Sequence, residues 1–237
     1  CVGTEQVVDF LQSYFPQFKT LRFDRDVIRH KQGLDEALQA INDKQVQLIV
    51  GTQMLTKGHH FPDLGLVVVV DADSAFYQSD FRALERLGQV LTQVAGRAGR
   101  AHIAGEVLIQ THLPKHPLLM CLIEQGYNTF VDKLLAQRQE AILPPFAYLS
   151  LIRAQGKNNF LIKQFLEQLR QHVGLEHLTI LGPIPAPMEK KADIFRWQLI
   201  LKAQNRNHLH QVLKKARPWI EHATPKGVRC FIEVDPY

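Results

Sequence analysis

The sequence predicts an α/β domain with a parallel sheet, followed by a smaller α+β domain of βαββαβ order. Three observations lead there. In the first part, short runs that are apolar throughout, such as Val46–Gly51 and Leu64–Asp71, alternate with segments of helical periodicity. Such runs fit parallel strands buried on both faces, and the alternation marks an α/β layer fold. After Leu143-Pro144-Pro145 the order becomes strand, helix, strand, strand, helix, strand, the split-βαβ plan of ferredoxin-like domains. The charge changes at the same place. Residues 1–145 carry 14 Lys and Arg against 16 Asp and Glu, whereas 146–237 carry 14 against 7. We therefore expect an α/β lobe over 1–114, a helical connector over 115–145 and an α+β domain over 146–237.

Taken in order, Val7, Val8, Phe10, Leu11, Tyr14 and Phe15 recur at helical spacing and predict a helix over 4–15, with Pro16 beyond its end. Leu21–Asp24 is a short strand. Leu34–Ile41 is a helix ended by Asn42-Asp43, and Val46–Gly51 and Leu64–Asp71 are strands. Asp80 can cap a helix whose apolar face is Ala83, Leu84, Leu87, Val90, Leu91 and Val94. Glu106–Thr111 is the next strand, and two helical stretches follow, Leu118–Gln125 and Tyr127–Ala141. Beyond the double proline come strand Tyr148–Ala154, helix Phe160–Val173 and a strand from Leu178 to Leu181 that runs into Pro-rich 182–187. Strand Phe195–Lys202, helix Asn207–Ile220 and strand Val228–Val234 complete the pattern.

Composition bounds the function. The 237 residues are 46% hydrophobic and 22% charged, an ordinary globular balance that argues against disorder. Cysteines at 1, 121 and 230 share no close spacing. That excludes a CxxC zinc ribbon or a disulfide framework within these residues and suits a cytoplasmic location. The longest clean apolar run, Leu64–Val70, is far shorter than the roughly 20 residues that span a bilayer, so no membrane partner is expected. The chain opens on Cys1 without Met and enters a helical pattern at once, so it reads as a piece of a longer protein.

Two segments carry chemistry. Gly51-Thr52-Gln53-Met54-Leu55-Thr56-Lys57-Gly58-His59-His60-Phe61-Pro62-Asp63 follows a strand directly, where open α/β sheets bind ligands. Thr52, Gln53, Thr56 and Lys57 offer donors suited to phosphate oxygens, and Gly51 and Gly58 permit unusual backbone geometry. The plainer alternative is a polar crossover loop. Adjacent His59 and His60 point in different directions and have no third ligand at usual spacing, so no metal site is read there. The second segment is Gln93-Val94-Ala95-Gly96-Arg97-Ala98-Gly99-Arg100. In a helical turn Arg97 and Arg100 project to one side, and guanidinium forks match phosphate oxygens in pairs. The alternative is a helix end stopped by glycines, with arginines favourable to its dipole.

Together, GTQMLTKGHHFPD and DFRALERLGQVLTQVAGRAGR resemble motifs V and VI of the superfamily-2 helicases. The closer resemblance is to the primosomal protein N′ (PriA) family of replication-restart DNA helicases, supported by Gly3-Thr4-Glu5, Asp80-Phe81-Arg82-Ala83 with Glu85-Arg86, Leu143-Pro144-Pro145 and Val234-Asp235-Pro236. The resemblance covers essentially the whole chain, as that family's RecA-like second motor lobe and its C-terminal domain. Many members carry an acidic residue where this chain has His60, so no role is assigned there.

The resemblance implies an ATP-dependent DNA helicase, 3′-to-5′ in polarity, that recognises stalled forks and starts primosome assembly. It implies arginine-finger roles for Arg97 and Arg100, and nucleotide contact or sensing by Gln93 beside Gly58 and Gly96. It implies coupling to the DNA backbone through Thr52, Gln53 and Lys57. Walker A and DExH motifs are missing from these residues; Asp71-Ala72-Asp73 ends a strand without supplying one. ATP and Mg²⁺ are thus expected to be held mainly by a first lobe, and these residues alone are expected not to hydrolyse ATP. The family's zinc module lies upstream, and no ligand of it is expected here.

In the basic second domain, Lys190, Lys191, Arg196 and Trp197 cluster around a hairpin. An aromatic among cations can stack a base while the cations hold phosphates; the alternative is Trp197 in the core beside a solvated basic loop. Forked or single-stranded DNA is the expected partner. Arg206, with Lys214, Lys215 and Arg217, can receive DNA or the acidic tail of single-stranded DNA-binding protein, which the resemblance implies together with other primosome proteins. The location implied is the cytoplasm, in association with the nucleoid. A rival function is a non-catalytic basic adaptor for DNA or an acidic peptide. An unrelated small-molecule enzyme is disfavoured, because GxGxxG and a nucleophile setting are missing.

Overall fold

The computed structural model describes residues 3–23, 31–52, 64–78, 80–96, 105–174 and 178–236. The chain divides into two compact units, Cys1–Asp132 and Lys133–Tyr237. The division falls inside the stretch expected to be a connector.

The first unit runs α1 (Thr4–Tyr14), β1 (Thr20–Phe23), α2 (Lys31–Asn42), β2 (Leu48–Gly51), β3 (Leu66–Val69), a 3-10 turn (Ala72–Ala75), α3 (Ala83–Ala95), β4 (Glu106–Ile109) and the start of α4 (Pro117–Glu140). β1 pairs with β2 in parallel, from Thr20 opposite Leu48 to Phe23 opposite Gly51. β3 pairs with β4 in parallel, from Leu66 opposite Glu106 to Val69 opposite Ile109. The alternating α/β order and the parallel pairing agree with the expected fold class.

One expectation is corrected here. The apolar run over β3 reads as buried on both faces, yet Leu66, Val68 and Leu108 stay about half exposed. Val67, Val69, Val107 and Ile109 are half-buried, and α3 packs against this pair. A run of uniform hydrophobicity does not reveal which face a neighbouring layer covers.

α3 packs through Ala83, Gly88, Leu91 and Val94. Asp80 organises the turn before it rather than capping it directly. Its Oδ1 accepts from the Arg82 N–H at 2.9 Å, its carbonyl accepts from the Ala83 N–H, and its Oδ2 pairs with Arg86. α4 is broken at Gly126, whose φ of 85° lies where glycine is favoured, so the two helical stretches read from the sequence are distinct segments.

The second unit contains the rest of α4, then β5 (Tyr148–Gly156), α5 (Asn159–Val173), β6 (Thr179–Lys191), β7 (Ile194–Ala203), α6 (Arg206–Ala223) and β8 (Val228–Val234). Its sheet has the order β6-β7-β5-β8, with every neighbouring pair antiparallel. That is the ferredoxin-like arrangement the βαββαβ pattern predicts. α5 buries Ile162, Phe165, Leu166 and Leu169, and α6 buries Leu209, Leu213, Ala216 and Ile220. Both sets join Ile152, Leu199 and Leu201 of the sheet in one core. β6 continues through the Pro-rich segment with two register shifts. It can do so because it is an edge strand, where a missing N–H breaks no second ladder.

Candidate functional site

β1 and β2 end together, Phe23 opposite Gly51, so Thr52 stands exposed at the carboxyl end of a parallel pair. This is where a phosphate-binding loop of an α/β sheet belongs. Gln53, Lys57, Gly58 and the two histidines lie outside the described residues.

The second segment begins on α3. Its buried residues cluster on one side, and Gln89, Gln93 and Gly96 are exposed at i, i+4 and i+7 on another. Gly96 closes the helix, donating its N–H to the Thr92 carbonyl at 3.0 Å. Gln93 is therefore free of the core and sits in the last turn. Arg97 and Arg100 lie outside the described residues.

At the carboxyl ends of β3 and β4 the chain carries a latch that sequence reasoning missed. Asp73 is buried, and its carboxylate accepts from the Thr111 hydroxyl and, at 2.6 Å, from the His112 N–H. Asp71 lies at a φ of 54°; its N–H donates to Gln110 Oε1 and its carbonyl accepts from the Ser74 hydroxyl. The Thr111 and His112 bonds outweigh the effect of burial and hold the Asp73 carboxyl below the usual carboxylate range. This acidic pair thus ties two strand ends together. No spacing in the sequence distinguishes such a latch from a metal-holding motif. Among the described residues no group of three or more His, Cys, Asp or Glu is placed to hold a metal.

In the second unit, Lys190 is exposed at the end of β6. It pairs with Asp193 at 2.9 Å and lies 5.2 Å from the Phe195 ring centre. Ala192 and Asp193 both have positive φ, 49° and 60°, the geometry of a tight two-residue hairpin turn. Lys191 is opposite Ile194 in the ladder; its side chain lies outside the described residues. Arg196 is half-buried with Nη1 3.8 Å from the Met188 sulfur.

Trp197 corrects the expectation of a base-stacking aromatic. It is 7% exposed and belongs to the core, its indole N–H donates to Asn159 Oδ1 at 2.6 Å, and the Lys163 ammonium lies 4.1 Å from its ring centre. So little of the side chain is open, with an ammonium already over the ring, that no base can stack there. The cause is strand parity: Trp197 is opposite Ala154 on the helix side of the sheet, while Arg196 projects to the other side. Arg206 is exposed at the start of α6, just after the Asn205 cap.

These features describe a helicase-type lobe joined to a small antiparallel α+β domain. Residues 2–102 match the family model described as helicase conserved C-terminal domain, and residues 139–237 match the one described as primosomal protein N C-terminal domain. The chain is 43% identical to replication restart protein PriA of Haemophilus influenzae over 99% of its own length and 32% of the relative's. For the protein of the same name in Synechocystis sp. the identity is 36%, over 99% of this chain and 28% of that one. For the Bacillus subtilis protein it is 32%, over 99% and 30%. Over 99% of its length the chain is thus similar to proteins named replication restart protein PriA. It spans about a third of the length of the curated relatives it matches.

Proposed function

We propose that the chain provides the second motor lobe and the C-terminal domain of an ATP-dependent DNA helicase that restarts replication. The observation that carries this reading is the order of the two matches, a helicase C-terminal domain and then a primosomal C-terminal domain, in one chain. The finer steps rest on the sequence motifs. Thr52, Gln53 and Lys57 contact the DNA backbone. Gln93 contacts nucleotide beside Gly58 and Gly96, and Arg97 and Arg100 reach toward the terminal phosphate.

The described part fits such a role. Gln93 and Gly96 are exposed where α3 hands over to the arginines, and Thr52 is exposed at a strand end. ATP with Mg²⁺ would supply the hydrolysable phosphoanhydride. These residues would orient it and neutralise charge on its phosphates, while a partner lobe bearing the Walker A and DExH motifs would hold it. The same reading includes 3′-to-5′ movement, recognition of forked or single-stranded DNA and hand-off to other primosome proteins. It also places the acidic tail of single-stranded DNA-binding protein near Arg206, a zinc module elsewhere in the parent protein, and the whole in the cytoplasm.

The test is DNA-stimulated ATPase of the parent protein. Arg97→Ala or Arg100→Ala is expected to reduce turnover by about 10³-fold, within the range for a lost arginine finger. Residues 1–237 alone are expected to be inactive. Near-normal turnover in both variants removes the finger roles. A parent without ATPase that still binds DNA leaves the adaptor reading instead.

A further inference from the structure

We propose that the face of the β6-β7-β5-β8 sheet turned away from α5 and α6 binds a single strand of nucleic acid, with Phe231 stacking a base and Arg153, Arg196 and Arg229 holding phosphates. This rests on the DNA-handling role proposed above and moves the contact from Trp197 to the other side of the same sheet.

The ladder registers build the site. Arg153 is opposite both Gln198 and Phe231, so these three form one row across β7, β5 and β8. Gln155 is opposite both Arg196 and Arg229, which makes the next row. Residues directly opposite share a face, and rows two residues apart share it too. The helix-side partners Ile152, Ala154, Trp197 and Leu199 have the other parity and lie in the core. Phe231 is 47% exposed, and Arg229 is exposed as well. Arg153 thus lies directly across the ladder from the open Phe231 ring, Arg229 lies two residues from it on the same strand, and Arg196 lies on the same face two strands away. Glu233 opposes them one row away and pairs with Arg153 at 3.2 Å.

A second, independent observation points to a ligand. Among the described residues, four buried side-chain atoms have no hydrogen-bond partner: Thr20 Oγ1, Arg153 Nε, Arg196 Nε and Gln198 Oε1. Three of the four belong to this face, and Gln198 is itself only 7% exposed. Buried polar atoms are rarely left unpaired without a cause. Here two are donors and one is an acceptor. Phosphate oxygens can satisfy the donors, and a base edge can satisfy the amide.

The chemistry favours an unpaired strand. A base within a duplex offers no face to Phe231, whereas a splayed base stacks on it. The carboxylates of an acidic peptide would satisfy the guanidiniums but offer no aromatic ring to stack on Phe231.

The experiment measures anisotropy of fluorescein-labelled oligothymidylate titrated with the full chain across a salt series. Phe231→Ala is expected to weaken binding about tenfold and Phe231→Trp to preserve it. Arg229→Gln, at an exposed position, is expected to reduce the slope of log affinity against log salt by about one. Circular dichroism checks that each variant folds, and Arg229→Gln carries the test if Phe231→Ala does not. Unchanged DNA binding in Phe231→Ala and Arg229→Gln overturns the face assignment and leaves the DNA reading standing. No binding by the unsubstituted chain overturns both. Binding of oligoglutamate that depends on Phe231, with DNA binding unaffected, overturns the proposal in favour of an acidic peptide.

Discussion

Gly88 is a small residue with a large neighbour. A Cβ built there would lie 2.3 Å from Cε1 of Phe130, a ring that is itself 3% exposed. Alanine would gain about 1 kcal/mol in helix propensity, but overpacking a fixed ring costs about 1–3 kcal/mol. The steric effect wins because the ring that must shift is enclosed, with 3% of it exposed. Gly88→Ala is expected to lower stability by about 1 kcal/mol in denaturant titration, and a higher midpoint would refute the contact. Asp73 gives a prediction in pH. Its carboxyl is held low by Thr111 and His112, so its folded pKa lies below the unfolded value of about 4. Its stabilisation is complete above that value and is lost as pH falls through the folded one. Asp73→Asn is therefore expected to lower Tm at pH 7 and to flatten the loss of stability below about pH 4. Parallel Tm profiles for the two proteins would rule this out. Neither residue announces itself in the sequence. Gly88 reads as a weak point in a helix, and Asp73 reads as half of a failed acidic motif.

Most elements were legible from periodicity because each has one strong apolar signal. β8 was read at its observed bounds, Val228–Val234. The break between the two segments of α4 was legible because Gly126 interrupts the helical spacing. Boundaries moved where a cap or a ladder decided them. α5 and α6 begin one residue earlier than read, each directly after an asparagine whose Oδ1 accepts from two N–H groups. Asn158→Ala and Asn205→Ala are each expected to cost about 1 kcal/mol in thermal or denaturant melts. A loss in neither variant would mean the caps contribute nothing. Facing was less legible than existence. β3 is apolar at every position yet leaves Leu66 and Val68 open, and β7 places its tryptophan in the core and its arginine outside. Side-chain parity becomes visible only when the register of neighbouring strands is known.

At the scale of the molecule, two units of different architecture share one chain, and the charge step near residue 145 marks the change. In the first unit the sequence marks candidates on one loop and one helix end, and of these the structure describes Thr52, Gln93 and Gly96, all exposed. The candidate face of the second unit was not legible, because its members come from three strands that are distant in sequence. The ATPase expectation for Arg97 and Arg100 belongs to this scale, since it concerns the proposed two-lobe motor as a whole. The strand order has a further consequence, in the timing of synthesis. β5, at the centre of its sheet, is flanked by β7 and by β8, the strand made last. Ser150 donates its hydroxyl to the Glu233 carbonyl at 2.8 Å, a contact that spans 83 residues. Until that segment leaves the ribosome, β5 remains an open edge with apolar side chains on both faces. During translation the sheet of this domain therefore stays unfinished until β8 emerges, and a ribosome that stalls within that strand leaves a sticky intermediate in place of a folded domain.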